Sequence, residues 1–268
     1  MPPPHGFVEQ LAELARTGVP LASVTMVEAV GSTPQDVGSK MLVTAQGLHW
    51  GTVGGGKIEN QAIQHAQAML AQRVSQATPN QLVEWNLQKD VGMTCGGVVR
   101  LYFETYNHCD WRVALFGAGH VAAAVIHCLS QMDCQVTCVD PRSEWLEKIA
   151  DSPRLAKKCV DLPEQCVAEL PDDTFVLCMT MGHSTDRPIL EAIFRSGRPF
   201  PYLGVIGSKA KRSVLERELL AAGISQTQVE TFHCPIGLPL GSDQPGEIAV
   251  SVTAELIQER DRWRQGGG

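Results

Sequence analysis

The stretch VGMTCGGVVRLYFE, Val91 to Glu104, sets the thiol of Cys95 between a short loop and a glycine pair, with a strand-like run behind it. A cysteine in that setting can serve as a nucleophile, as a ligand for a soft metal, or as a small apolar filler. Backbone N–H groups around CGG would favour its thiolate. No histidine stands near it in sequence to complete a Cys/His pair, so the residues leave the functional and filler readings both open.

A second candidate is LFGAGHVAAAVIHCLSQMDCQVTCVD, where Gly117, Gly119 and Ala122 have the spacing G-x-G-x-x-A. Asp140 follows about 20 residues on, at the end of the next apolar run. Between a strand and a helix, Gly117 permits the tight turn and Gly119 lets backbone approach a phosphate. The helix opening at His120 offers unpaired N–H groups to an anion. This is the fingerprint of a dinucleotide site, and a scaffold whose glycines only close a turn is the plainer alternative. Asp140 suits a ribose diol or the cap of the PRSEW turn, and Arg142 suits a phosphate or water.

Three further sets stand at the ends of apolar runs. In VIGSKAKRSVLERELL, Ser208 is placed as an N-cap, with Lys209, Lys211 and Arg212 in the first turn. Each exposed cation there opposes the helix dipole by about 0.3–1 kcal/mol, so three together suit an anionic ligand or else form a solvated basic face. In MTMGHSTDRPIL, His183 could act as an acid–base group, and Asp186 reads as the cap of a helix beginning at Arg187. In GTVGGGKIE, the glycines Gly54, Gly55 and Gly56 enter a helix beside Lys57, an anion cradle or a flexible turn. GSTP, Gly31 to Pro34, and GSK, Gly38 to Lys40, are similar turns.

The elements that must position these residues fall into two groups. Phe7, Leu11 and Leu14 predict a helix ending at Thr17, and LASVTMVEAV a strand. KMLVT and LHWGTV flank AQG as a hairpin, a helix follows the triple glycine, and LVEWNL and VVRLYFETY are two more strands. This α+β domain is assigned to residues 1–106. From Trp111 strands and helices alternate: WRVALFG, a helix from His120 to Met132, QVTCVD, TFVLCMT, the helix DRPILEAIFRSG, YLGVIG and the helix KAKRSVLERELLAAG. Such alternation predicts a Rossmann-like parallel sheet over residues 107–268, closed by a last helix in QPGEIAVSVTAELIQERDRW. The fold class expected is α/β.

A formal net charge of −7 on 268 residues argues against nucleic-acid and anionic-membrane partners, which need a basic face. No apolar run approaches the roughly 20 residues of a membrane helix, and MPPPHGFVEQ does not read as a secretory signal. The nine cysteines form no CxxC pair. They fit reduced thiols in the cytoplasm better than a disulfide framework or zinc cage.

Taken in order, GSTPQDVGSKMLVT, GTVGGGKIE, GMTCGG, VALFGAGHVA, CVDPR, MTMGHSTD, GVIGSKAKR and CPIGLPLGSDQPGEIAVSVTAEL resemble the XdhC/CoxI family of molybdenum-hydroxylase accessory proteins, from about Leu14 to Leu256. The resemblance implies a cytoplasmic homodimer that binds molybdenum cofactor (molybdopterin), assists its sulfuration and delivers it into xanthine dehydrogenase or a related hydroxylase. A cysteine desulfurase is a further implied partner. By the same resemblance Cys95 contacts molybdenum or the transferred sulfur; His183, from its loop position at a strand end, is a second candidate catalytic group. The implied cofactor-binding set is Gly54, Gly55, Gly56, Lys57, Cys95, Gly117, Gly119, His120, Asp140, Arg142, His183, Ser208, Lys209, Lys211 and Arg212. Two rival readings use the same residues. One is an NAD(P)-dependent oxidoreductase built on GAGHVA, Asp140 and His183; the other is a nucleotide-sensing binding module without chemistry.

Overall fold

The computed structural model describes residues 4–71, 80–94, 96–107, 109, 111–241 and 243–266. Cys95 therefore lies outside the described residues. The chain divides into two compact units, Met1–Asp110 and Trp111–Gly268.

The first unit runs α1 (Pro4–Thr17), β1 (Leu21–Val30), β2 (Lys40–Thr44), β3 (Gly47–Gly51), α2 (Gly56–Ala71), β4 (Asn80–Asn86) and β5 (Val98–Tyr106). Its strands form one antiparallel sheet in the order β3-β2-β1-β5-β4. Ile58, Ala62, Ala66 and Met69 recur at helical spacing and make the buried stripe of α2. That stripe packs on one face of the sheet, against Val24, Met26, Val43, Leu101 and Phe103. Burying each large side chain there contributes roughly 1.5–3 kcal/mol. On the other face Phe7, Leu11 and Leu14 of α1 meet Leu21, Leu42, Trp50 and Tyr106.

Register then decides where the loops go. Val30 pairs with Val98, Met41 with Gly51, and Asn86 with Val98, so β1, β3 and β4 end, and β2 and β5 begin, along one edge of the sheet. Every glycine turn that the sequence singles out in this unit leaves from that edge.

The second unit runs β6 (Arg112–Phe116), α3 (His120–Leu129), β7 (Gln135–Asp140), α4 (Ser143–Leu146), β8 (Leu155–Cys159), a 3-10 helix (Pro163–Glu169), β9 (Thr174–Cys178), α5 (His183–Ser196), β10 (Tyr202–Val205), α6 (Lys209–Ala221), α7 (Gln226–Val229) and α8 (Pro245–Gln265). All five strands are parallel, in the order β10-β9-β6-β7-β8. The order reverses between β6 and β9, which opens a crevice at the carboxyl ends of those strands. β9 is buried along its whole length, as a central parallel strand covered on both faces must be.

The expected α/β architecture is present, with three local differences. The helix after GAGHVA stops at Leu129, before the Ser130–Met132 turn. Strand β8, LAKKC, carries two lysines on a sheet edge and no apolar alternation, so nothing in its sequence announces a strand. Helix α5 begins at His183, with Gly182 as N-cap, rather than at Arg187; Pro188 sits inside the helix, not at its first position. Among the described residues no helix is long and apolar enough to cross a membrane.

Candidate functional site

In the first unit three glycine turns interlock at the sheet edge. A Cβ on Gly54 would stand 2.7 Å from Pro34 Cγ, and one on Gly97 would stand 2.5 Å from the Ser32 carbonyl oxygen. The GSTP turn is thus wedged between the triple-glycine turn and the turn leading into β5. The Thr52 hydroxyl donates to the Glu59 carboxylate and accepts from Gly54 N–H at 3.1 Å, fastening the turn to the first turn of α2. Lys57 is exposed, and its Nζ donates to the Gly92 carbonyl at 2.6 Å, tying the helix start to the loop that precedes position 95. Gly55 and Gly56 take φ of +66° and +56°, and a Cβ on either, or on Gly96, would meet nothing within 4 Å. Packed glycines thus hold the turns together, and open ones leave backbone amides accessible at the N-terminus of α2.

In the second unit Gly117 has φ +111°, and a Cβ there would lie 2.4 Å from the Met179 carbonyl oxygen. Only glycine fits that closure. Gly119 is open on all sides within 4 Å. Asp140 is 2% exposed, and its carboxylate turns into the protein. It accepts from Ala118 N at 2.7 Å, from Arg142 N at 2.9 Å, and from Arg142 Nε and Nη2 at 2.9 and 2.8 Å. Burial works against its charge, but the Arg142 side chain, the Arg142 N–H and the Ala118 N–H outweigh burial and hold its carboxyl below the ordinary range. The Arg142 N–H contact is the kind of bond the turn-cap reading of Asp140 expects. Arg142 keeps 28% of its side chain exposed but is not free: it pairs with Asp140, lies 4.9 Å over the Trp145 ring and approaches Met181 Sδ at 3.5 Å. His120 is exposed and meets Trp145 edge-on at 5.0 Å.

The basic start of α6 is largely neutralised within the chain. Ser208 is the N-cap and accepts from Lys211 N, as its position predicts. Lys211 turns inward, pairs with the fully buried Asp186 and donates to the Ile206 carbonyl at 2.7 Å. Arg212 donates to Glu216 at 2.7 Å and to the Phe232 carbonyl at 2.5 Å. Lys209 alone of the three stays exposed. Asp186 does not cap a helix start. It stands one turn inside α5 and receives the Thr180 N–H and hydroxyl, which locks the β9–α5 turn to α6 through Lys211.

At the reversal point a cavity of about 300 Å³ opens among Gly117, Asp140, Arg142, Asp161, Glu164, Thr180, Met181, Ser184 and Thr185. Of the residues expected to act together, it gathers Gly117, Asp140 and Arg142. His183 is not part of its lining: it is half-exposed, with Nε2 3.9 Å from Glu218 Oε1 on α6. Sequence reasoning does not single out Asp161, Glu164, Thr180 or Met181. The signal for the two acids is a loop directly after LAKKC, and it gains meaning only once that stretch is known to be a strand. Among the described residues, no group of three or more His, Cys, Asp or Glu side chains is placed to hold a metal ion.

Comparison with known proteins fits this architecture. A family model described as the XdhC Rossmann domain matches residues 113–256, more than half of the chain, and one described as the XdhC and CoxI family matches residues 14–84. A protein of Escherichia coli (strain K12) named Uncharacterized protein YqeB is 28% identical over 94% of this chain and 46% of its own length, so this chain spans about half of that relative. A probable xanthine dehydrogenase subunit of Bacillus subtilis (strain 168) is 24% identical over 96% of this chain and 98% of that protein. The Molybdenum cofactor insertion chaperone PaoD of Escherichia coli (strain K12) is 22% identical over 92% of this chain and 86% of PaoD. A crystal structure of a xanthine dehydrogenase from Bacillus halodurans shares the fold at 20% identity, covering 97% of both chains with a TM-score of 0.51. With both units matched in order, the chain belongs to the XdhC and CoxI family, and its second unit is an XdhC Rossmann domain.

Proposed function

We propose that this protein handles molybdenum cofactor as cargo, assists its sulfuration and delivers it to xanthine dehydrogenase or a related molybdenum hydroxylase. The observation that carries the reading is the interlocked glycine edge of the first unit, in a chain that resembles a molybdenum cofactor insertion chaperone over 92% of its length. The donor set suits such a cargo. Gly55, Gly56 and Gly96 present backbone with no side chain in the way, and the first N–H groups of α2 suit the cofactor's phosphate. Cys95, next to Gly96 in sequence, supplies the soft thiolate for molybdenum or for transferred sulfur. Lys57 acts by fixing the Gly92 loop. We place the protein in the cytoplasm as a homodimer, with a cysteine desulfurase as the sulfur donor.

The nicotinamide oxidoreductase reading draws less support. Asp140, the residue it assigns to the ribose diol, already accepts four N–H groups of its own chain. His183, its acid–base group, stands outside the cavity lining. The test is activation of a cofactor-free xanthine dehydrogenase supplied with molybdenum cofactor and sulfide. The reading expects activation by the wild-type chain and its loss with Cys95→Ser; equal activation with and without the chain would overturn it.

A further inference from the structure

The cavity of the second unit has features that the cargo reading does not use. Two large apolar side chains in its lining are left in solvent: Leu162 is 51% exposed and Met181 is 82% exposed. Their apolar area is free to cover the face of a flat ring, and a thioether makes favourable contacts with aromatic systems. Asp161 and Glu164 also line the cavity, and among the described residues neither carboxylate has a hydrogen-bond or ion-pair partner. Arg142, the cation of the lining, is already matched to Asp140. The two remaining carboxylates therefore leave the cavity negative, which disfavours a polyphosphate. A volume of about 300 Å³ stands at the low end of small-molecule sites, roughly 300–1,000 Å³, and suits one heterocycle with a short substituent rather than a dinucleotide.

Carboxylates only accept hydrogen bonds. A pair of them selects a ring edge that shows adjacent donors. Guanine and pterin share such an edge, a ring N–H beside an exocyclic amino group, and a carboxylate can take both at once. Adenine sets its amino group beside a ring nitrogen acceptor, which a carboxylate repels.

We propose that this cavity binds a fused-ring heterocycle through the donor edge common to guanine and pterin, with Asp161 and Glu164 accepting from that edge and Leu162 and Met181 covering the ring. A guanosine-selective cavity stands apart from the cargo reading, whereas a pterin-selective one rests on it; the cargo reading has its own test in the first unit, through Cys95.

The experiment is isothermal titration of the full chain with guanosine, adenosine and 6-hydroxymethylpterin. It is repeated on the Asp161→Asn/Glu164→Gln double variant, with circular dichroism confirming the fold. Guanosine or the pterin should bind at least about tenfold more tightly than adenosine, and the double variant should bring the ligands within about twofold of one another. Selective binding of guanosine alone identifies a nucleoside site, and selective binding of the pterin alone a pterin site. Met181→Ala should weaken the selected ligand while keeping the preference over adenosine. Equal binding of adenosine, binding of none of the three, or a preference that survives in the double variant would overturn the proposal.

Discussion

The guanidinium of Arg142 grips the carboxylate of Asp140 through Nε and Nη2, at 2.9 and 2.8 Å, and fixes the acidic residue at the end of β7 in the wall of the second-unit cavity. The same carboxylate accepts Ala118 N–H from the glycine loop, so strand end, turn and loop are fastened at one buried point.

Asp140→Asn should destabilise the protein by on the order of 2 kcal/mol at neutral pH, because it replaces a charged acceptor of four N–H groups and leaves Arg142 poorly matched. The carboxyl is held below its ordinary range in the folded state. Its contribution is therefore complete above the unfolded pKa of about 4 and is lost as pH falls through the folded value. Urea denaturation should find the gap between wild type and variant constant from pH 8 to about 5 and shrinking below about 4. A gap independent of pH would show that the pair carries no such linkage.

The Asp186–Lys211 pair invites a double-mutant cycle. Asp186 is fully buried, and Lys211 is 16% exposed at its side chain. Removing one partner leaves a charge buried without its match, at a cost of about 3–5 kcal/mol. Asp186→Asn and Lys211→Met should each be severe, whereas the double variant should cost much less than their sum. Additive effects would mean that the two groups do not depend on each other.

Glycines that pack and glycines that face open space should respond differently to an added methyl. Gly97→Ala forces a Cβ to 2.5 Å from the Ser32 carbonyl oxygen and should destabilise by about 1–3 kcal/mol. Gly96→Ala meets nothing within 4 Å, so its stability should stay within about 0.5 kcal/mol of wild type. On the cargo reading Gly96→Ala nonetheless weakens cofactor binding, because the methyl occupies the ligand's approach. Thermal denaturation and cofactor titration of the two variants separate these effects.

Thiol reactivity should single out a few of the nine cysteines. Burial pushes the Cys138 thiol up to about 12, with the nearby Asp140 charge adding to the shift, and burial also raises Cys178 and Cys234. Those three should resist iodoacetamide at pH 8, while the exposed Cys159 is alkylated. On the cargo reading Cys95 reacts faster than Cys159. Peptide mapping by mass spectrometry reads all nine, and slow alkylation of Cys95 would speak against a functional thiolate there.

Much of this arrangement is legible in the sequence because local chemistry announces it. β1 reads as a strand from LASVTMVEAV, α6 from its Ser208 cap, and the Rossmann turn from the spacing of Gly117, Gly119 and Asp140. What stays hidden depends on partners distant in sequence. The three basic residues of α6 read as an anion site or a solvated basic face until Asp186 and Glu216 are placed beside Lys211 and Arg212. Asp140 reads equally as a ribose anchor or a turn cap until Arg142 is seen to fold back on it. The meeting of Pro34 with Gly54, and of Ser32 with Gly97, follows only from strand register.

The most direct test of the central claim is titration of the purified chain with molybdenum cofactor, alongside NAD⁺ and NADP⁺, for wild type and Cys95→Ala. The account predicts micromolar cofactor binding that weakens in the variant. Nicotinamide binding alone, unchanged by the substitution, would contradict it.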